Sequence, residues 1–235
     1  MIKPIKQDVV LLKILILLTK HIYSMRNLVL LIGLLFCMTQ VSAQYQDATE
    51  EQKKEIISKI SQASGDMKTM KSDFVQVKEL SFMDEKVTSE GVMYYKKENK
   101  IRWEYTKPYK YVFSMDGVNV RMTSGDKTNK VPVRSNKMFG EISKVMVGGV
   151  SGSGLVDSPD FDTKIMAGKD DYKIVLTPKK KEIKDLFSSV QLFVNKSDSR
   201  IRSVELIENG GDKTTISLKN TQVNIDINNS VFSED

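Results

Sequence analysis

Ser124-Gly125-Asp126-Lys127 matches S-x-x-K, the spacing at which a lysine can activate a serine nucleophile, but it sits in an obvious turn and reads as turn chemistry. The run Gly148-Gly149-Val150-Ser151-Gly152-Ser153-Gly154 reads as a flexible loop. It lacks the Lys-Ser/Thr pair of a phosphate-binding loop, and around Ser151 the G-x-S-x-G spacing fails because Ser153 holds the fifth position. Asp160-x-Asp162 and Asp170-Asp171 have the form of surface turn carboxylates, and Lys179-Lys180-Lys181 that of a solvated loop. Asn195-Lys196-Ser197 fits the glycosylation triplet, which means little in a bacterial-style exported protein.

The decisive chemistry is subtractive. The 235 residues hold one His, one Cys and one Trp, with 36 Lys+Arg against 30 Asp+Glu, a net charge of +6. Met25-Arg26-Asn27, the apolar run Leu28 to Met38 and the small residues Val41-Ser42-Ala43 form the three parts of a signal peptide. Eleven apolar residues fall short of the ~20 that a membrane-spanning helix needs. We therefore expect a cut after Ala43 and export to the periplasm. Residues 1–24 read as a mis-assigned upstream extension, with translation starting at Met25. Cys37 follows Phe36, where lipoprotein cleavage wants a small side chain, so a lipid anchor is not expected.

Removing 1–43 leaves 31 basic against 29 acidic residues, +2, and takes away both His21 and Cys37. The mature chain then has no imidazole or thiol for a catalytic triad, a cysteine nucleophile, or a His- or Cys-ligated metal. No enzyme, no cofactor and no metal site are expected, and a nucleic-acid partner loses its electrostatic argument.

The elements that remain are patterned for a sheet. Thr49 to Met70 reads as an amphipathic helix, with Thr49 and Gln52 at capping-box spacing and Ile56, Ile60, Ala63, Met67 and Met70 on one face. From Ser72 the period becomes two. Strands are expected at Asp73–Leu80 and Val87–Lys97, then at Ile101–Tyr105, with Ile101, Trp103 and Tyr105 opposite Arg102 and Glu104. Tyr109, Tyr111, Phe113 and Met115 alternate up to Asp116-Gly117, the strongest hairpin signal, and Val118, Val120 and Met122 continue the apolar face. A second helix is expected over Asn136–Val147, with Met138, Phe139, Ile142, Val145 and Met146 apolar. Five further strands follow, at 161–166, 172–177, 187–194, 200–208 and 213–219, and a last strand-like piece at 223–227. The sum is one antiparallel α+β domain, residues 44–235, of about ten hairpin-connected strands and two helices.

Nine Met remain in the mature chain and aromatics cluster between residues 93 and 115. Such stripes are ordinarily core. Two helices, however, cannot easily cover a sheet of ten strands, which leaves a wide apolar face, and methionine adapts to variable apolar partners.

Arg102-Trp103-Glu104-Tyr105-x-x-Pro108 followed by Asp116-Gly117 resembles the signature stretch of the periplasmic outer-membrane lipoprotein carrier family, LolA. Phe74-x-Gln76, Gly91 and Leu176-Thr177-Pro178 fall where that family has similar pieces. The resemblance implies an incomplete, half-open antiparallel β-barrel whose apolar concave face is covered by helices. It implies a lipid-binding cavity, for which Met93, Tyr95, Ile101, Trp103, Tyr105, Tyr111, Phe113, Met115, Val118 and Val120 are the candidates. Ile56, Ile60, Met67, Met138, Phe139, Ile142 and Met146 would belong to the lid helices. The family often carries an arginine, typically followed by Pro, at the end of the preceding strand and tied to lid closure. The matching pair here is Lys97-Glu98, which makes Lys97 the lid-latch candidate, with the charge but not the planar fork.

The implied function is a monomeric periplasmic chaperone that ferries triacylated lipoproteins from an inner-membrane ABC-type release complex to an outer-membrane acceptor. At ~0.8 kcal/mol per buried CH₂, three long acyl chains cost on the order of 30 kcal/mol to expose. A lipid-sensing or regulatory binding module of the same fold, without transport, is the alternative.

Overall fold

The computed structural model describes residues 45–233 except Asn136 and Ser153, and the side chains of Met138 and Phe139 are also outside the description. The expected upstream extension, the signal peptide and its cleavage site lie outside the described residues.

Twelve antiparallel strands form one sheet: β1 (Gln46–Asp47), β2 (Thr69–Glu79), β3 (Lys86–Lys96), β4 (Lys100–Lys107), β5 (Tyr111–Asp116), β6 (Asn119–Ser124), β7 (Lys127–Pro132), β8 (Phe161–Ala167), β9 (Asp171–Pro178), β10 (Phe187–Asn195), β11 (Ile201–Glu208) and β12 (Lys213–Val223). The spatial order is β1-β8-β9-β10-β11-β12-β2-β3-β4-β5-β6-β7, so among the described residues β1 and β7 are the edges and the sheet does not close. Helix α1 (Glu50–Asp66) carries the chain from the β1 edge to the middle of the sheet, and α2 (Lys137–Ser151) from the β7 edge back to β8. All other connections join sheet neighbours, one of them through a single turn, α3 (Lys181–Lys184). This is the α+β, half-open antiparallel barrel expected from the sequence, with few helices.

The two crossover helices share one side of the sheet. Ile56 and Ile60 of α1 pack with Val145 of α2 onto Ile165, Ile174, Leu176, Val190, Leu192 and Val194. The C-terminal part of α2, through Val147 and Val150, packs onto Met70, Phe74, Met93, Tyr95, Ile101, Trp103, Met115 and Val120. Thr49 caps α1 as expected: its hydroxyl accepts from the Gln52 N–H at 3.3 Å while the Gln52 side chain accepts from the Thr49 N–H at 2.9 Å.

Several expectations need correction. Helix α1 ends at Asp66, not Met70. Met67 is already extended and Met70 lies in β2. Both are buried, at 3% and 2% exposure, so their apolar spacing serves the core from a strand and its approach, not from a lid helix. The glycine-rich run is not a loop throughout, because α2 continues through Gly148 and Gly149 to Ser151. It stops at Gly152, which takes φ +79° and whose N–H closes on the Gly148 carbonyl at 2.7 Å. Val223 ends β12 beyond a bulge, and 224–227 is not a strand. Two strands escaped the sequence reading: two-residue β1, and β7, whose Lys-Thr-Asn-Lys-Val-Pro lacks apolar alternation because this edge faces solvent.

Candidate functional site

A cavity of about 230 Å³ lies between α2 and the sheet. Ile142, Val145, Met146, Gly149 and Val150 form its helical wall. Opposite stand Phe187 of β10, Val204 and Leu206 of β11, and Thr214, Ile216 and Leu218 of β12, with Gln76 of β2 and Trp103 and Tyr105 of β4 completing the lining. None of these is charged, so the space suits an uncharged, chiefly apolar occupant. A Cβ at Gly149 would sit in ordinary contact, 3.7 Å from a Val204 methyl, so this approach of helix to sheet does not itself demand a glycine.

Gln76, Trp103, Tyr105 and Thr214 bring polar groups to this apolar lining. The Tyr105 hydroxyl donates to Gln76 Oε1 at 2.9 Å, and burial, with some help from Tyr111, pushes its pKa up to about 12. Trp103 is 5% exposed, and its Nε1 is buried with no hydrogen-bond partner among the described residues. Phe74 meets Trp103 and Tyr105 edge-to-face, with centroids at 4.8 and 5.0 Å, and holds both rings in place.

Of the residues singled out from the sequence, Trp103, Tyr105, Ile142 and Met146 line the cavity. Met93, Tyr95, Ile101, Met115 and Val120 are instead packed in the core beside it, where Phe113 is half-buried. Tyr111 lies against Tyr105, their centroids 5.9 Å apart. Val118 is 66% exposed and lines nothing. Asp116 Oδ1 accepts from the N–H groups of Val118 and Asn119 and folds Val118 onto the outside of the hairpin tip. Ile56 and Ile60 anchor α1 in the core, and Met67 lies beyond that helix. The sequence reading missed Phe187, Val204, Leu206, Ile216 and Leu218. Their period-two alternation was visible, but the aromatic cluster drew the cavity toward β3–β6.

Polar links hold the first half of α2. Near its start, Glu141 accepts from Lys180 at 3.3 Å and from Lys144 at 3.0 Å, while Lys180 also reaches Asp160 at 2.8 Å. At its end, the Ser151 hydroxyl donates to the Val147 carbonyl at 2.8 Å, and burial pushes the pKa of the neighbouring Tyr95 hydroxyl up. Lys97 Nζ donates to the Gly65 carbonyl at 2.9 Å, in the last turn of α1. Among the described residues no cluster of three or more His, Cys, Asp or Glu could hold a metal.

Residues 65–235 match the family model described as outer membrane lipoprotein carrier protein LolA. The chain belongs to the LolA family. An outer-membrane lipoprotein carrier protein of Chromohalobacter salexigens is 29% identical over 145 residues, 62% of this chain, and the chain spans 66% of that LolA relative's length. Among solved structures, a LolA superfamily protein from Nitrosomonas europaea aligns at 10% identity and TM-score 0.43, covering 78% of this chain and 98% of its own. The lipoprotein LppX of Mycobacterium tuberculosis aligns at 10% identity and TM-score 0.42, covering 77% and 99%.

Proposed function

We propose that this LolA-family chain is a periplasmic carrier that takes the acyl chains of triacylated lipoproteins into the cavity under α2 and ferries them from inner to outer membrane. The observation that carries the proposal is that cavity: uncharged, walled by one crossover helix and five strands, and bordered by few polar groups.

Its size supports a moving wall in this reading. At roughly 30 Å³ per water-sized group, about 230 Å³ holds some eight such groups, part of one acyl chain. Three chains require α2 to lift from the sheet. The helix is held by the Glu141–Lys180–Asp160 bridge and by apolar packing of Val145, Val147 and Val150 rather than by a continuous hydrogen-bond ladder, so it can move as a lid. Closure returns Ile142, Val145 and Met146 to the strands and restores apolar contact at ~25 cal/mol per Å² buried. An empty carrier is thus stable, and loading exchanges protein–protein for protein–acyl contact without irreversible grip. Lys97, bound to the end of α1, serves as a latch on the other helix.

The partners in this reading are an inner-membrane ABC-type release complex that loads the cavity and an outer-membrane acceptor that empties it. Depletion in the native cell tests it. Triacylated lipoproteins should accumulate in the inner membrane and be found in soluble complex with the carrier before depletion. Normal lipoprotein sorting after depletion rejects the transport role.

A further inference from the structure

We infer that the indole N–H of Trp103 is a carbonyl-reading subsite, which holds the first acyl oxygen of a neutral ester or amide at the head of the chain. The inference rests on the carrier reading and adds to it: the cavity recognises the acyl linkage as well as the alkyl tail.

Indole Nε1 can only donate, and a buried donor without an acceptor is rare because it forfeits its bond to water with nothing in return. Trp103 is such a group. It is 95% buried, it borders the cavity, and its Nε1 has no hydrogen-bond partner among the described residues. Its position is fixed from three sides. The residue is paired with Met93 on one neighbouring strand and Phe113 on the other, and the Phe74 ring packs edge-to-face against it. A purely apolar wall has no use for an indole N–H, so this donor marks a place for an acceptor.

The acceptor's class follows from what surrounds it. Among the described residues no Lys, Arg, Asp or Glu lines the cavity, so a carboxylate or phosphate would be buried without a counter-charge. Two residues along β4, the Tyr105 hydroxyl has already given its proton to Gln76, which leaves Trp103 with the uncommitted donor of the pair. A neutral carbonyl attached to an alkyl chain meets both demands. Acylated protein N-termini and neutral glycerolipids both supply it. Because Nε1 is buried here, the contact forms only as the cavity opens to admit the chain.

The protein has a single tryptophan, so one indole N–H resonance reports the site directly. The uniformly ¹⁵N-labelled mature protein is titrated with a dioctanoylglyceryl-cysteine peptide, with dioctanoylglycerol, and with the dialkyl ether analogue of each. The expected result is a downfield shift of the indole proton with the esters only, about tenfold tighter binding of ester than ether, and equal affinities in Trp103→Phe. A shift with both esters, or with the peptide ester alone, supports the subsite and shows which source it serves. Ester and ether binding alike with an unmoved indole resonance overturns the subsite but leaves the carrier reading standing. No binding of any of the four overturns both. The wild-type titration decides the matter even if Trp103→Phe does not fold.

Discussion

The ring of Phe74 on β2 occupies the space that a side chain on Gly91 of β3 would need. A Cβ at Gly91 would stand 2.7 Å from Phe74 Cε1 and 2.0 Å from the Glu104 carbonyl oxygen. Through that gap Phe74 reaches Trp103 and Tyr105 and sets the sheet wall of the cavity. Gly91→Ala should destabilise the fold by roughly 3 kcal/mol in urea denaturation. Adding Phe74→Ala should not restore it, since the tighter clash is with backbone; rescue would show that the ring alone demands the glycine.

The bridge from Lys180 to Glu141 and Asp160 holds the first half of α2. Lys180→Ala should speed hydrogen exchange of the α2 amides and the release of a fluorescent acyl probe. Global stability should fall by no more than about 1 kcal/mol, because the Lys180 side chain is 38% exposed. Unchanged exchange in α2 with a large global loss would mean that the bridge supports the fold and not a lid.

How far this could be read from sequence depends on where each residue's partners lie. Ile101, Trp103 and Tyr105 declared their strand because alternation is a local signal with one face buried. Met67 and Met70 misled because a three-residue step fits a helix face, yet the helix had stopped at Asp66 and β2 buried them in the same core. Polar β7 carried no pattern at all. The cavity was the least legible feature, since it is a gap between α2 and strands as distant in sequence as Gln76 and Leu218. Only their antiparallel pairing, with Phe74 opposite Leu218, brings those positions to one wall.

Asp116 sets part of the acid limit. Burial alone would raise its carboxyl. The backbone N–H groups of Asn119 and Val118, at 2.7 and 2.9 Å, and the Arg121 guanidinium at 2.8 Å outweigh that and hold it at about 2. A depressed carboxyl stabilises the fold above its unfolded value near 4, and that contribution is lost as pH falls toward 2. It is on the order of 2 kcal/mol. Asp116→Asn should flatten that part of the stability–pH curve between pH 4 and 2, measured by urea midpoints; an unchanged acid limb contradicts the assignment.

Lys97 bonds the Gly65 carbonyl at the end of α1. Lys97→Ala should accelerate exchange in the last turn of that helix, with a stability loss below about 1 kcal/mol for so exposed a contact. Lys97→Arg should preserve protection. Equal fraying in both variants would remove Lys97 from any latching role.

Cargo inside the cavity is best tested by photocrosslinking in the native cell. A photoreactive residue replaces Leu206, which lines the cavity, or Tyr109, which is 82% exposed on a hairpin turn. The expected result is crosslinking to triacylated lipoproteins from position 206 and none from 109, with the 206 adducts lost when acylation is blocked. Adducts from 109 alone, or equal adducts that survive without acylation, would contradict carriage of acyl chains beneath α2.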